Sequence, residues 1–299
     1  MIKYKKIILS VVILIIIGVL LIVAVNNFLN NSNNKDINVD FDIVTTFYPV
    51  QLIVNNLIQN VNGVNSVNIS QNVGGCIHEY EFTSKDMKTF EEADLIIKNG
   101  QNIEEFLDKE YFNNFEIFDS SSNIPNVNVS KHCWMNIDNY ISQVMLISEK
   151  IIENDPFNQN MYYDNMDSYI SKLLALKQEY NNVSSQTNIA ITNDAFKYFA
   201  NDGIFNISAE LLSIHEGNYV ASDIASFIDK INTTNTKVIL IDSETNKENV
   251  ALIEMLNSNT DARIFVIDLI VEPTDNLNQY IESMQNNINV LKEAIEYGK

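Results

Sequence analysis

Two of the three histidines in this 299-residue chain lie in runs that contain other candidate metal ligands. His78 lies between Cys76 and Glu79, shortly before a helix-start signal, and His132 begins the sequence His-Cys-Trp. Neutral imidazole is a good ligand for zinc and an acceptable one for manganese. The two histidines are therefore candidate metal ligands, the alternative being that they make only ordinary hydrogen bonds.

Several further motifs occur in a fixed order with these histidines. They are Thr45-Thr46-Phe47-Tyr48-Pro49, the His78-Glu79-Tyr80-Glu81 run, Glu92 to Gly100, His132-Cys133-Trp134, Asp194 to Phe199 and Val266 to Leu269. In this order the motifs resemble those of solute-binding proteins of zinc and manganese ABC importers. The resemblance extends over about residues 40 to 297. It implies a cleft between two lobes, with the metal bound where the strands of both lobes end.

The resemblance implies His78 and His132 as ligands from the first lobe and Asp268 as a carboxylate ligand from the second. For Asp268 the alternative is that it caps a strand-end loop without touching metal. Relatives carry a histidine or glutamate at the remaining position, where this chain has Asn193. An amide oxygen suits manganese, calcium or magnesium better than zinc.

Three arrangements at the fourth position stay open. Asn193 coordinates through its oxygen, or Asp194 or His215 takes its place, or water completes the site. His215 itself is expected on a surface loop. The two cysteines, Cys76 and Cys133, each adjoin a proposed histidine ligand, and we leave open buried free thiols, a disulfide and thiolate coordination.

Composition limits the classes of function. Hydrophobic residues make up 46% of the chain, with 15 Phe and 13 Tyr, which is ample for a packed core. The net charge of −20 excludes nucleic acid as a partner and is compatible with attraction of a metal cation, or serves solubility alone. Acidic pairs such as Glu91-Glu92 and Glu104-Glu105 are predicted to be solvated helix faces.

The N-terminal segment 1–25 predicts a transmembrane anchor. Lys3, Lys5 and Lys6 precede an apolar run of 19 residues, Ile7 to Val25, whose helical length of roughly 28 Å matches a bilayer core. The lysines favour a cytoplasmic start. A cleaved signal peptide is the alternative, and because the first cysteine is Cys76 we expect no lipid anchor. The Asn-rich segment 26–40 then reads as a tether.

Apolar periodicity in the remaining chain predicts an α/β fold. Strand and helix patterns alternate in two series along the chain, and a long helical pattern lies between the two series. Together with the resemblance, this pattern implies two Rossmann-like lobes, an N-terminal metal-binding lobe at 41–155 and a C-terminal lobe at 183–299, joined by a long helix at 156–182. Trp134 and the aromatic clusters near Phe47 and Phe196 are expected to pack between the lobes.

The function that this sequence predicts is capture of a divalent transition metal, Zn2+ first and Mn2+ next, for delivery to an ABC permease. The protein is expected to be an extracellular, membrane-tethered monomer without catalytic activity. A zinc enzyme is a rival class, but the sequence offers no general base such as a His-Glu-x-x-His helix. A degenerate paralogue that acts as a surface adhesin or metal decoy is the other alternative.

Overall fold

A computed structural model describes residues 40–70, 77, 80–124, 129–212 and 219–299. The chain divides into two units, residues 1–40 and 41–299. The predicted membrane anchor at 1–25 and all but the last residue of the predicted tether at 26–40 lie outside the described residues. Within the described ranges, no helix has both the length and the apolar character needed to cross a membrane.

The first lobe is a parallel four-stranded sheet with the strand order β2-β1-β3-β4. Its strands are β1 (Phe41–Thr45), β2 (Val64–Asn68), β3 (Leu95–Lys98) and β4 (Ile117–Asp119), and its first helices are α1 (Tyr48–Leu57) and α2 (Ser84–Glu92). Strands β1 and β3 occupy the centre and are largely buried apolar runs, as both faces of a parallel sheet require. Helix α2 begins at a capping box between Thr83 and Asp86.

Two long helices connect this sheet to the second one. They are α3 (Ile137–Asn154) and α4 (Gln159–Tyr180), with a short 3-10 turn at Pro156–Asn158 between them. Asn136 caps α3 by accepting the backbone N–H of Asn139. Helix α3 buries Tyr140, Val144, Ile147 and Ile151 along one stripe, which explains its length.

The second lobe repeats the arrangement, with a parallel sheet in the order β6-β5-β7-β8. Its strands are β5 (Asn188–Ile191), β6 (Asn206–Glu210), β7 (Val238–Asp242) and β8 (Arg263–Ile267). Its helices are α5 (Lys197–Asn201), α6 (Ala221–Thr233), α7 (Ser243–Glu248), α8 (Val250–Asn259) and α9 (Gln279–Tyr297). The expectation of an α/β fold with two parallel-sheet lobes is confirmed.

The lobes share a core of aromatic side chains. Tyr280 of α9 stacks on Tyr140 of α3 with ring centroids 3.5 Å apart, and the Tyr140 hydroxyl lies 3.1 Å from that of Tyr169 in α4. Phe47 meets Trp134 edge to face at 4.9 Å, and both are buried. The expected packing of these aromatic residues in the core is confirmed.

Candidate metal-binding site

The candidate ligands follow the carboxyl ends of the strands, where open parallel sheets bind ligands. His132 lies in the segment between β4 and α3, Asn193 and Asp194 follow β5, and Asp268 follows β8. Both sheets therefore supply residues to the site from the same kind of edge.

The imidazole of His132 is held through one of its two nitrogens. Nδ1 lies 2.9 Å from Ser130 Oγ and 3.0 Å from Asp194 Oδ1, and the side chain is only 12% exposed. A carboxylate accepts hydrogen bonds, so the proton resides on Nδ1. Among the described residues, all polar contacts of this ring use Nδ1, which leaves the Nε2 lone pair for a metal ion.

Asp194 forms the other half of this pair and comes from the second lobe. Burial alone would raise the pKa of Asp194, but hydrogen bonds from His132 and Ser130 and the positive charge of Lys197 lower it below its usual value. Lys197 is itself 2.8 Å from Glu210. The Asp194 carboxylate is therefore ionised at neutral pH, and its contact with His132 links the second lobe to the first.

The side chain of Asn193 is used mainly for local structure. Its Oδ1 accepts the backbone N–H of Ala195 at 2.9 Å, capping the 3-10 turn Asp194–Phe196. Its Nδ2 donates to Asp242 Oδ2 at 3.3 Å. Thus Asp194, rather than Asn193, makes the described contact with His132.

Asp268 is fixed by three hydrogen bonds immediately after β8. Its backbone N–H donates to Asn287 Oδ1 at 2.9 Å, and its carbonyl accepts from Asn287 Nδ2 at 2.8 Å. Its Oδ1 accepts the N–H of Ile270 at 2.7 Å. Ile270 is buried and has a φ of 63°, a left-handed conformation that is rare for a β-branched residue.

Trp134 connects the His132 loop to the Asp268 loop. Its indole Nε1–H donates to the carbonyl of Leu269 at 2.8 Å, and its ring lies 5.2 Å from that of His132. The Tyr280 hydroxyl donates to the Trp134 carbonyl at 2.7 Å. The structure thus brings together His132, Asp194 and the turn that carries Asp268.

Three residues named from the sequence, His78, Cys76 and His215, lie outside the described residues. Beside His78, the carbonyl of Ile77 accepts the N–H of Tyr80 at 3.0 Å, and Ile77 is buried. Within the part of the chain that the structure describes, no group of three or more His, Cys, Asp or Glu side chains is placed to hold a metal ion.

Cys133, next to His132, is buried and free. Its Sγ lies 3.7 Å from Asn99 Oδ1. Burial raises the pKa of this thiol to about 12, so it remains protonated at neutral pH.

Glu104 is a buried carboxyl group that sequence reasoning placed wrongly on a solvated helix face. It is 3% exposed, and its oxygens accept the Thr46 hydroxyl at 2.8 Å and the N–H groups of Asn99 at 2.6 Å and Gly100 at 3.0 Å. Burial raises its pKa to about 7, against the lowering effect of these hydrogen bonds. Glu104 thereby joins the loops that follow β1 and β3.

Comparisons with known proteins extend over most of the chain. A family model described as zinc-uptake complex component A, periplasmic, matches residues 43–294. The metal ABC transporter substrate-binding lipoprotein SsaB of Streptococcus sanguinis is 26% identical over 249 residues, covering 75% of this chain and 80% of that protein. The manganese ABC transporter substrate-binding lipoprotein scaA of Streptococcus gordonii is also 26% identical, with coverage of 75% and 79%.

Solved structures show the same fold. The Zn(II)-bound ZnuA-like domain of Streptococcus pneumoniae AdcA superposes with a TM-score of 0.71 at 20% identity. The superposition covers 86% of this chain and 99% of that one.

Proposed function

We propose, because this chain belongs to the family of periplasmic zinc-uptake components, that it captures a divalent transition metal ion and delivers it to an ABC permease. Zinc is the first candidate ion, in line with the description of the family, and manganese is the second, in line with the name of the Streptococcus gordonii relative. The ion is cargo, bound and released, and the protein performs no catalysis. The observation that carries this proposal is the His132–Asp194 pair, which joins the lobes and leaves the second imidazole nitrogen without a polar contact among the described residues.

The proposed ligands are His78, His132 and Asp268, with Asn193 at the fourth position. Nδ1 of His132 is engaged by Asp194, so the metal would be bound by Nε2. Metal-binding histidines commonly donate their other N–H to a carboxylate, which fixes the tautomer and the ring. We therefore assign Asp194 the role of orienting His132 rather than that of binding the ion.

The fourth position is the weakest part of the proposed site. The Asn193 oxygen already accepts the N–H of Ala195, although an amide oxygen has a second lone pair that a metal can use. Water is the alternative occupant. A site with one weak or missing ligand also favours the second candidate function, a paralogue that acts as a surface adhesin or metal decoy.

For localisation we propose that the segment Ile7 to Val25 anchors the protein and that the globular unit is extracellular and monomeric. The relatives are named lipoproteins. In this chain the first cysteine is Cys76, far from the apolar segment, so we assign attachment to the segment itself.

The experiment is metal binding by the purified chain, measured by competition with a chromogenic chelator. We expect about one ion per chain, and His78→Ala and His132→Ala should each weaken binding by more than about 10-fold. His215→Ala is the matched control and should have little effect. Equal effects of the three substitutions would refute the ligand assignment, and absence of binding by the unmodified chain would refute the function.

A further inference from the structure

Asn287, in the middle of α9, directs its whole carboxamide to the backbone of one other residue. Its Oδ1 accepts the N–H of Asp268 at 2.9 Å, and its Nδ2 donates to the Asp268 carbonyl at 2.8 Å. The side chain is 2% exposed. The Asn287 carboxamide thus supplies Asp268 with the two backbone hydrogen bonds that a neighbouring strand would otherwise make.

We infer that Asn287 is a positioning residue that aims the Asp268 carboxylate at the metal, an inference that rests on the proposed function. Among the described strands, β8 pairs with β7 alone, and that pairing ends with Asp242 opposite Ile267. Asp268 is thus the first residue beyond the sheet ladder. Without Asn287, the N–H and the carbonyl of Asp268 would lose these hydrogen-bond partners, and the backbone at Asp268 would no longer be held in one orientation.

The turn after Asp268 is strained, and the two hydrogen bonds from Asn287 to the Asp268 backbone help to hold it. Ile270 has a φ of 63°. A non-glycine residue in such a conformation is strained and persists only where the surroundings hold it. Asn287 holds the turn on one side, and the bond from Trp134 to the Leu269 carbonyl holds it on the other.

The left-handed conformation of Ile270 orients the Asp268 carboxylate. The N–H of Ile270 binds Asp268 Oδ1 at 2.7 Å, which fixes the side-chain rotation and leaves Oδ2 as the oxygen that meets the ion. Asn287 therefore acts on the ion through Asp268 without touching it. A purely structural residue would affect the stability of α9 but not the affinity for metal.

The test compares variants of the full chain in detergent for zinc and manganese affinity and for melting temperature without metal. Asn287→Ala should weaken binding of both ions by about 10–100-fold, the range typical of lost partners of metal ligands. Asn286→Ala, at the exposed neighbouring asparagine of the same helix, is the matched control and should change neither quantity. Met284→Ala removes a buried side chain of α9 and should lower the melting temperature alone.

A double-mutant cycle tests whether Asn287 affects the affinity for metal through Asp268. In an Asp268→Ala background, Asn287→Ala should cause no further loss of affinity, because its partner carboxylate is gone. Equal losses in both backgrounds, or an unchanged affinity in Asn287→Ala, would overturn the inference. Should Asn287→Ala not fold, Asn287→Ser is measured against the same two outcomes. Failure of the unmodified chain to bind either ion would instead refute the proposed function, and this inference with it.

Discussion

Glu104→Gln should make the stability of the globular unit less dependent on pH. The pKa of Glu104 rises from 4.5 to about 7 in the folded protein, principally because the group is buried. Between these two values the unfolded chain releases its proton while the folded chain retains it. The folded state is therefore favoured below about pH 4.5, and this contribution is lost as the pH rises through about 7.

The size of the effect follows from the shift. Each pKa unit between the folded and unfolded states corresponds to about 1.4 kcal/mol, so Glu104 removes about 3 kcal/mol of stability over this range. Glutamine cannot ionise, but its NH2 group cannot accept one of the three hydrogen bonds that Glu104 accepts from Thr46, Asn99 and Gly100. The lost acceptor costs about 1–3 kcal/mol at low pH.

The assay is urea unfolding of residues 36–299 at a series of values from about pH 5 to about pH 8. We expect Glu104→Gln to be less stable than the unmodified protein by about 1–3 kcal/mol at the acidic end. Towards the basic end the unmodified protein should lose about 2.5 kcal/mol that the variant keeps, so that the difference closes or reverses in favour of the variant. Glu105→Gln is the control: Glu105 is exposed and pairs with Lys131 at 2.9 Å, so its loss should cost at most about 1 kcal/mol at every pH. A constant difference between Glu104→Gln and the unmodified protein would refute the reasoning.

Three further predictions concern other parts of the chain. Trp134→Phe leaves the Leu269 carbonyl without its donor and should lower the free energy of unfolding by about 1–3 kcal/mol, measured by urea unfolding. Asn193→His should enlarge the zinc-induced rise in melting temperature, because imidazole is a better zinc ligand than an amide; no change would show that residue 193 does not meet the ion. The mature chain should keep residues 1–25 and stay with membranes until detergent is added, whereas a soluble chain beginning near Asn26 would contradict the proposed anchor.

Strong apolar patterns allowed much of the fold to be predicted. The short apolar runs that begin at Asn188 and Arg263 and end before polar residues predict strands, and the structure has strands with the same bounds, Asn188–Ile191 and Arg263–Ile267. The apolar spacing from Asp138 to Glu153 predicts a helix, and the helix in the structure, Ile137–Asn154, extends one residue beyond each end of that range. Strand Ile117–Asp119 is too short to show a period, so only pairing with its neighbour reveals it.

The site was harder to predict, because its decisive contacts join distant parts of the chain. The contact between His132 and Asp194 follows no local pattern. The role of Asn193 was detectable in principle, because asparagine immediately before a helical turn is a common N-cap. Glu104 was predicted to be solvated because it adjoins Glu105, and only the tertiary fold turns one of these two side chains inward.

Helix α9 has a consequence for the order of events during synthesis. It is the last element of the chain, yet its Tyr280 stacks on Tyr140. Just before it, the carbonyl of Leu277 accepts from Asn56 at 2.9 Å in the first lobe. Because a chain emerges from its N-terminus, the first lobe cannot complete its core until the final turns have been made. The face of Tyr140 that Tyr280 covers therefore stays open until the last helix has been made.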